Sequence, residues 1–312
     1  NTFPTKTFRL PVDKQAVLKS GVVALKDQAK IVPYIDVTIK DEVIYKNRLL
    51  MLDIIANNNW QRPIYFSGGS FGDDDYLWMK DYLQMDGVVY KLVPIKTPVD
   101  KDNPFDMGRV DADKSYEIVK NWDWGNSGDP AVYHDIETRR NGLTYRSNLA
   151  RIAEALLKEN KLDKAREILD LAMEKMPVDT FAFYSLLEPY MQMYYSVNQP
   201  EKARDIYAQL AVVYQEKLLY FSSFKTNEQI DMRREIYTDM ERYRAVVTVL
   251  LAEDTKQYAL AEAIKFNEYI KLFPYLYNPD EGIELEDQSA SGSDTEIPAE
   301  ASLQELLQSQ AN

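Results

Sequence analysis

The single histidine of the chain, His134, stands beside Asp135 in VYHDIETRR. A His-Asp pair is the base-and-orienter half of a nucleophilic relay, but the other half has no visible source. The chain has no cysteine, and no GxSxG elbow lifts a serine out of a strand–helix turn. His134 therefore reads as a surface or junction histidine. Asp73-Asp74-Asp75 crowds three carboxylates behind a glycine-rich stretch. A calcium loop spaces its oxygen ligands at alternate positions and adds a late glutamate, which DDDYLWMKDYLQ does not. The run suits a helix start instead, with Asp74 or Asp75 capping a helix over Tyr76–Met85 and its charge facing the positive helix end. Ser67-Gly68-Gly69-Ser70-Phe71-Gly72 has the look of a phosphate cradle without the Lys-Ser/Thr of a P-loop or the GxGxxG order, and reads as a turn. Asp111, Asp113, Glu117 and Asp123 show no pairing suited to glycoside hydrolysis. No catalytic residue, metal or cofactor is assigned from these motifs.

Tyrosine is the compositional excess: 22 in all, with 13 between Tyr184 and Tyr277. Most are expected to pack. Tyr184, Tyr195 and Tyr214 are the candidates for lining a concave groove, where amphipathic rings suit extended peptides or sugar faces.

The elements that must position these residues fall into two kinds. Residues 1–125 mix strands and helices and read as a small α/β domain. Thr7–Val12 is a strand ended by proline. Ile31–Ile39 alternates apolar and polar residues at the strand period, and Asp41 is placed to cap the helix that follows. That helix repeats Val43, Ile44, Leu49, Leu50, Leu52, Ile54 and Ile55 as a broad apolar face. Asn57-Asn58-Asn59 stops it, Trp60 packs the corner, and Arg62-Pro63 launches the strand Ile64–Phe66. Val88–Ile95 is a further strand and Ser115–Trp122 a short helix.

Residues 126–277 read as an all-α, tetratricopeptide-like array of helical hairpins. Leu149, Ala153, Leu156, Ala165, Leu169, Ala172 and Pro177 follow that repeat's spacing, as do Leu187, Met191, Tyr194, Ala203, Tyr207 and Leu210. Ala165 in DKAREIL and Ala203 in EKARDIY keep the small residue a close helix crossing needs, 38 residues apart. A third, degraded hairpin spans Asp231–Leu251 and Tyr258–Phe273, as capping repeats do. The fold class is thus α+β, a small α/β domain before an all-α hairpin array.

The net charge of −13 is uneven. Asp280 to Asn312 holds nine acidic residues and no Lys or Arg, and removing them leaves −4 for residues 1–279. Residues 278–312, rich in Ser, Glu and Asp, read as a disordered acidic tail. Neither part has the basic footprint of a nucleic-acid binder, and no apolar run reaches the length of a membrane span. The chain starts at Asn1 rather than methionine, and is expected to be processed or part of something longer.

Several segments in order, LLMLDIIANNNWQRPIYFS, DYLQMDGVVYKLVPI, NWDWGN and VYHDIETRR leading to TYRSNLARIAEALLKENKLDKAREILD, resemble the C-terminal soluble part of a family of large membrane proteins from Bacteroidetes-type bacteria. The other half of that family is a multi-spanning domain similar to protein O-mannosyltransferases and other membrane glycosyltransferases that use lipid-linked sugars. The resemblance runs from about residue 1 to 275. It implies a missing N-terminal transmembrane domain as partner, an extracytoplasmic (periplasmic) location, and transferase chemistry that belongs to the missing half. The family's signature positions here, Trp60, Arg62, Pro63, Tyr65, Gly87, Tyr90, Trp124, Gly125 and Tyr133, mix buried, turn-forming and junction types that suit structure rather than catalysis.

The expectation is a non-catalytic accessory domain that binds an acceptor polypeptide, a partner protein or a glycan through its helical repeats. Two alternatives stay open: a stand-alone carboxylate-based hydrolase and a purely structural protein–protein adaptor.

Overall fold

Thr7–Pro11 (β1) pairs antiparallel with Tyr34–Thr38 (β2), Thr7 opposite Thr38 and Pro11 opposite Tyr34. The alternation in β2 has its physical meaning: Ile35 and Val37 are buried while Tyr34, Asp36 and Thr38 face outward. Between the two strands, Lys14–Ser20 (α1) starts under Asp13, whose carboxylate accepts from the Gln15 and Ala16 amides, and stops at Gly21 with φ +69°. The structure, a computed structural model, describes residues 5–67, 72–99, 107–182, 186–277 and 282–283. The acidic tail assigned from sequence lies outside the described residues, apart from Gly282 and Ile283.

Lys46–Asn57 (α2) follows β2. It begins after Tyr45 with no side-chain cap, so Asp41 does not start it. Its broad apolar face is not a core face either: Ile55 is buried, but Val43, Leu49, Leu50 and Ile54 are all exposed. The asparagines do end the helix. Asn59 and Trp60 take φ of +49° and +58°, turning the chain through left-handed backbone. Trp60 is buried at that corner, and its Nε1 donates to the Pro11 carbonyl at 3.3 Å, joining the turn to β1.

Arg62 and Pro63 are exposed and lead into Tyr65–Ser67 (β3). This strand belongs to a second sheet with Leu83–Asp86 (β4), Val89–Leu92 (β5) and Arg109–Val110 (β6), in the order β3-β5-β4-β6. Only β4 and β6 run parallel. A two-residue loop, Gly87-Val88, joins β4 to β5, and Gly87 supplies the positive φ of +73° that such hairpins use.

The helix expected over Tyr76–Met85 is absent. The segment is a run of turns, then a 3₁₀ turn at Lys80–Tyr82, then β4. Leu77 and Trp78 take left-handed φ of +52° and +56°, which a helix cannot contain. The Asp73–Asp75 carboxylates do not cap; Asp73 pairs with Lys40 and Lys80, and Asp74 and Asp75 with Arg48.

Ala112–Lys120 (α3) is capped by Asp111 and Ile136–Lys158 (α4) by Asp135, whose carboxylate accepts from the Thr138 amide at 2.9 Å. Leu162–Lys175 (α5) returns antiparallel against α4, and the short helix Val178–Phe181 (α6) follows. The chain divides into two compact units, Asn1–Phe183 and Tyr184–Asn312. The change in sequence character falls earlier, at 125/126, because α4 is fastened to the second sheet. Asn148 Nδ2 donates to the Gly87 carbonyl at 3.0 Å, and Arg151 reaches the Tyr90 hydroxyl at 3.2 Å and the Met107 carbonyl at 3.1 Å.

The second unit contains Glu188–Ser196 (α7), Pro200–Ser222 (α8), Thr226–Asp231 (α9), Arg233–Glu253 (α10) and Lys256–Ile270 (α11), with α7 against α8 and α10 against α11. The α+β layout therefore holds: small sheets first, helical hairpins after. The spaced residues Leu149 to Ala172 and Leu187 to Leu210 are buried without exception. The two hairpins also turn alike. Asn160 and Asn198 take φ of +58° and +57°, and in each case the next amide returns to a carbonyl of the preceding helix at 2.9 Å, Lys161 to Leu156 and Gln199 to Tyr194.

In each unit a shielded carboxylate anchors a cluster of polar partners. In the second sheet, Asp86 is shared by Lys114 at 2.8 Å and Lys91 at 3.3 Å, with Gln84 donating to it at 3.0 Å. Burial pushes the Asp86 carboxyl up, but hydrogen bonds from Lys114 and Gln84 and the nearby lysine charges outweigh it and hold it low. Two cations on one carboxylate leave Lys91 poorly compensated, and burial first, then Lys114, lowers its ammonium to about 8. In the second unit, Arg204 grips Asp254 with Nε at 2.9 Å and Nη2 at 2.6 Å, and the Tyr195 hydroxyl donates to the same carboxylate. Arg204 holds Asp254 well below the usual carboxylate range despite its burial.

Two predictions follow from these clusters. Unfolded Lys91 binds more protons than folded Lys91 between about 8 and 10.5, so its contribution makes stability rise with pH across that window. Lys91→Met should remove the rise and be no less stable than wild type at pH 7, whereas Asp86→Asn should lose about 3 kcal/mol by leaving the lysines unpaired; urea midpoints at pH 7 and 9.5 check both. Asp254 has the same sign in the acid range: its stabilisation is present above the unfolded value of 3.8 and lost as pH falls through the lower folded value. Asp254→Asn should cost about 2–3 kcal/mol at pH 7 and flatten the acid limb of thermal melting.

Candidate functional site

NWDWGN places two tryptophans two residues apart just after α3. A turn through Gly125, φ +53°, directs the chain onward, with the Gly125 amide donating to Asp123 Oδ1 at 2.9 Å. The rings of Trp122, Trp124 and Tyr145 of α4 form a cluster. Their centroids lie 5.4 Å apart for the two indoles, 5.6 Å for Trp122–Tyr145 and 5.8 Å for Trp124–Tyr145, all tilted or edge-to-face. Gly87 makes room for this cluster, since a Cβ there would lie 2.8 Å from Trp122 Cζ2.

The cluster forms one side of a cleft of about 470 Å³ in the first unit. Val88 of the β4–β5 turn and the loop residues Asp123 and Ser127 continue it; Thr138, Asn141 and Gly142 of α4 and the pair Met176 and Phe181 close the other side. Gly142 brings this wall in close, as a Cβ there would meet Phe181 Cδ1 at 2.7 Å. Gly128 likewise lets the loop lie on the α5 backbone, with only 2.3 Å between its would-be Cβ and the Glu174 carbonyl oxygen. The corner at 176–182 is held by Arg146 of α4, a buried guanidinium that donates to the carbonyls of Met176 at 2.8 Å, Pro177 at 3.4 Å and Ala182.

His134 lines the cleft with its ring 4.9 Å from that of Phe181. Its Nε2 lies 3.1 Å from the Ser127 carbonyl, which can only accept, so Nε2 carries the proton. Asp135 does not orient the ring; its two oxygens receive the Thr138 amide and hydroxyl. The neighbouring pair is therefore a loop tie and a helix cap. Two polar atoms at the cleft, Trp124 Nε1 and Ser127 Oγ, are buried with no hydrogen-bond partner among the described residues. Such an orphan costs about 1–3 kcal/mol, which marks a place where a further polar group belongs. With aromatic faces, rim amide and hydroxyl groups, His134 and, among the described lining residues, a single carboxylate, Asp123, the arrangement can bind a small amphipathic molecule.

The structure disperses the residues singled out in the sequence. Trp124 and Gly125 shape the cleft, and Gly87 supports it. Trp60 and Tyr90 are buried in the first unit; Tyr65 is half exposed, with its hydroxyl 3.3 Å from Asp86; Arg62, Pro63 and Tyr133 lie at the surface. Tyr184 lies outside the described residues. Tyr195 is half-buried with its hydroxyl on Asp254, and Tyr214 is 2% exposed, stacked on Tyr243 in the core of the second unit, so Tyr214 presents no open face. Trp122, Tyr145, Ser127, Asn141 and Phe181 were not singled out, although two of the four tryptophans flanking one aspartate near the lone histidine was a usable signal.

No helix among the described residues is long and apolar enough to cross a membrane. No curated protein and no solved structure matches the chain. Residues 1–114 match the family model of TMEM260-associated domain 2. The motifs LLMLDIIANNNWQRPIYFS and DYLQMDGVVYKLVPI fall inside that match, and NWDWGN, VYHDIETRR and most of the cleft fall beyond it. At the level of family, the first third of the chain thus agrees with the resemblance to a membrane-protein family drawn from its motifs.

Proposed function

We propose that this chain is a non-catalytic accessory domain of a multi-spanning, glycosyltransferase-like membrane protein, similar to the protein O-mannosyltransferases, and that it works on the extracytoplasmic face. Its task is to hold the acceptor, while the transfer step belongs to the membrane-embedded part. The observation that carries this reading is the aromatic cleft, which offers ring faces beside two buried, unpartnered polar atoms and, among the described residues lining it, a single carboxylate. The match of residues 1–114 to a TMEM260-associated domain supports the membrane-protein context. The binding surface assigned here is the cleft of the first unit, in place of the tyrosines of the later hairpins.

A second reading, a protein–protein adaptor, is favoured by α2, whose Leu49, Leu50 and Ile54 are exposed. Apolar side chains gathered on one helix commonly mark a docking surface.

The absence of cysteine gives a clean test of location. Tyr220→Cys, at an exposed position, should react with a membrane-impermeant maleimide in intact spheroplasts. Labelling only after lysis would overturn the extracytoplasmic assignment. In membranes carrying the longer polypeptide, His134→Ala should leave kcat within about twofold, and Trp124→Ala should raise the acceptor KM about tenfold with little change in kcat. Loss of kcat in a folded His134→Ala protein would defeat the non-catalytic reading. Loss of activity with Leu50→Asp but not Trp124→Ala would favour the adaptor.

A further inference from the structure

We propose that the cleft is a carbohydrate subsite that seats a neutral pyranose ring between the Trp122–Trp124–Tyr145 cluster and the polar groups of the 123–141 side. The proposal rests on the acceptor-binding reading and names the chemistry of what is held.

Three features select a sugar over other small ligands. A pyranose has an apolar C–H face and a rim of hydroxyls, so it needs a flat aromatic surface next to groups that both donate and accept. The cleft joins these: indole and phenol rings within 5.8 Å of one another, the Asn141 amide, the Asp123 carboxylate, and the orphaned Trp124 Nε1 and Ser127 Oγ. The Gly125 amide uses Oδ1 of Asp123, and the second oxygen is suited to a ligand hydroxyl. A wholly apolar ligand would leave the two orphaned donors as they are.

Charge narrows the class further. No lysine or arginine is among the described residues lining the cleft, and a carboxylate is. Phosphate, sulfate and acidic peptides would meet a like charge with no cation to offset it. An extended peptide bound by strand addition needs an open sheet edge, whereas these walls are a helix, a loop and a hairpin turn. The volume of about 470 Å³ lies in the range of small-ligand sites and leaves room for one sugar ring and its substituent. Both orphaned atoms are shielded from solvent, so pairing them requires Trp124 to shift when the sugar enters. Binding should therefore be visible in tryptophan emission.

The test is fluorescence titration of the full chain with the methyl glycosides of glucose, galactose and mannose, with a neutral Ser/Thr-rich peptide and with inorganic phosphate. At least one glycoside should give a saturable change with a Kd on the order of 1 mM. Trp124→Phe, which keeps a ring and removes the donor, should weaken it about tenfold, and Trp124→Ala should abolish it. Asn141→Ala, at an exposed helix position that puts little of the fold at risk, should weaken it several-fold, and Trp78→Phe should leave it unchanged. Saturation by the peptide with no response to any glycoside would overturn the sugar assignment and leave the acceptor-binding reading standing. No response to either class would overturn both. A glycoside response equal in wild type and Trp124→Ala would place the sugar elsewhere and overturn the subsite, as would a phosphate response that outcompetes the glycosides.

Discussion

Arg146 is a buried cation whose described partners are backbone carbonyls, and the architecture of the first unit around the cleft depends on it. The end of any α-helix leaves carbonyls without intrahelical donors, and that of Met176, the C-cap of α5, is met by the buried Arg146. A planar guanidinium offers several donors in one fork, and a positive charge is favourable at the negative end of a helix. Arg146 thereby gathers Met176, Pro177 and Ala182 into one corner, which lets the chain reverse through α6 and the left-handed Ala182, φ +51°. Met176 and Phe181 are then fixed against α4 as a wall. A lysine could supply the charge without the fork, and the corner would lose part of its definition.

The two units spend their aromatic residues differently. In the second, Tyr207, Tyr214 and Tyr243 are buried packing groups whose hydroxyls or ring faces are used internally; Tyr207 donates to Glu262 at 2.8 Å and Tyr243 lies 2.6 Å from Gln215. Burial pushes the Tyr207 and Tyr243 hydroxyls up, so both stay neutral; Tyr207 donates to Glu262 and Tyr243 accepts from Gln215. In the first, Trp122, Trp124 and Tyr145 meet at the edge of a cavity and are only half buried. The same side-chain chemistry is scaffold in one place and surface in the other, and what decides is whether neighbouring polar atoms are already paired.

How much of this was legible in the sequence depended on whether the determining contacts are local. The hairpins were, because Ala165 and Ala203 sit where helices cross and Asn160 and Asn198 five residues before them take the left-handed turn. β2 was, because its alternation reports one buried face. β4 was not: Leu83, Gln84, Met85 and Asp86 are all buried, so no alternation survives, and the left-handed residues ahead of it are Leu77 and Trp78 rather than glycine or asparagine. α2 misled in the opposite direction, since its helical apolar pattern predicted burial that the fold does not provide. The cleft draws on residues 88, 122–127, 134–145 and 176–181; only tertiary structure brings these together, and a count of tyrosines carries no sign of them.

Gly142 carries a consequence for how this domain can change. In the middle of α4, glycine gives up about 1 kcal/mol of helix stability relative to alanine. The missing methyl is what admits Phe181 to the helix surface. Helix strength and cavity shape are therefore set by the same carbon atom, in opposite directions. A search for more heat-resistant variants would be drawn to alanine at this position and, in taking it, would displace the Phe181 ring that lines the cavity. Robustness and cavity shape are coupled here through one side chain, so the domain cannot drift freely toward greater rigidity while keeping its cavity.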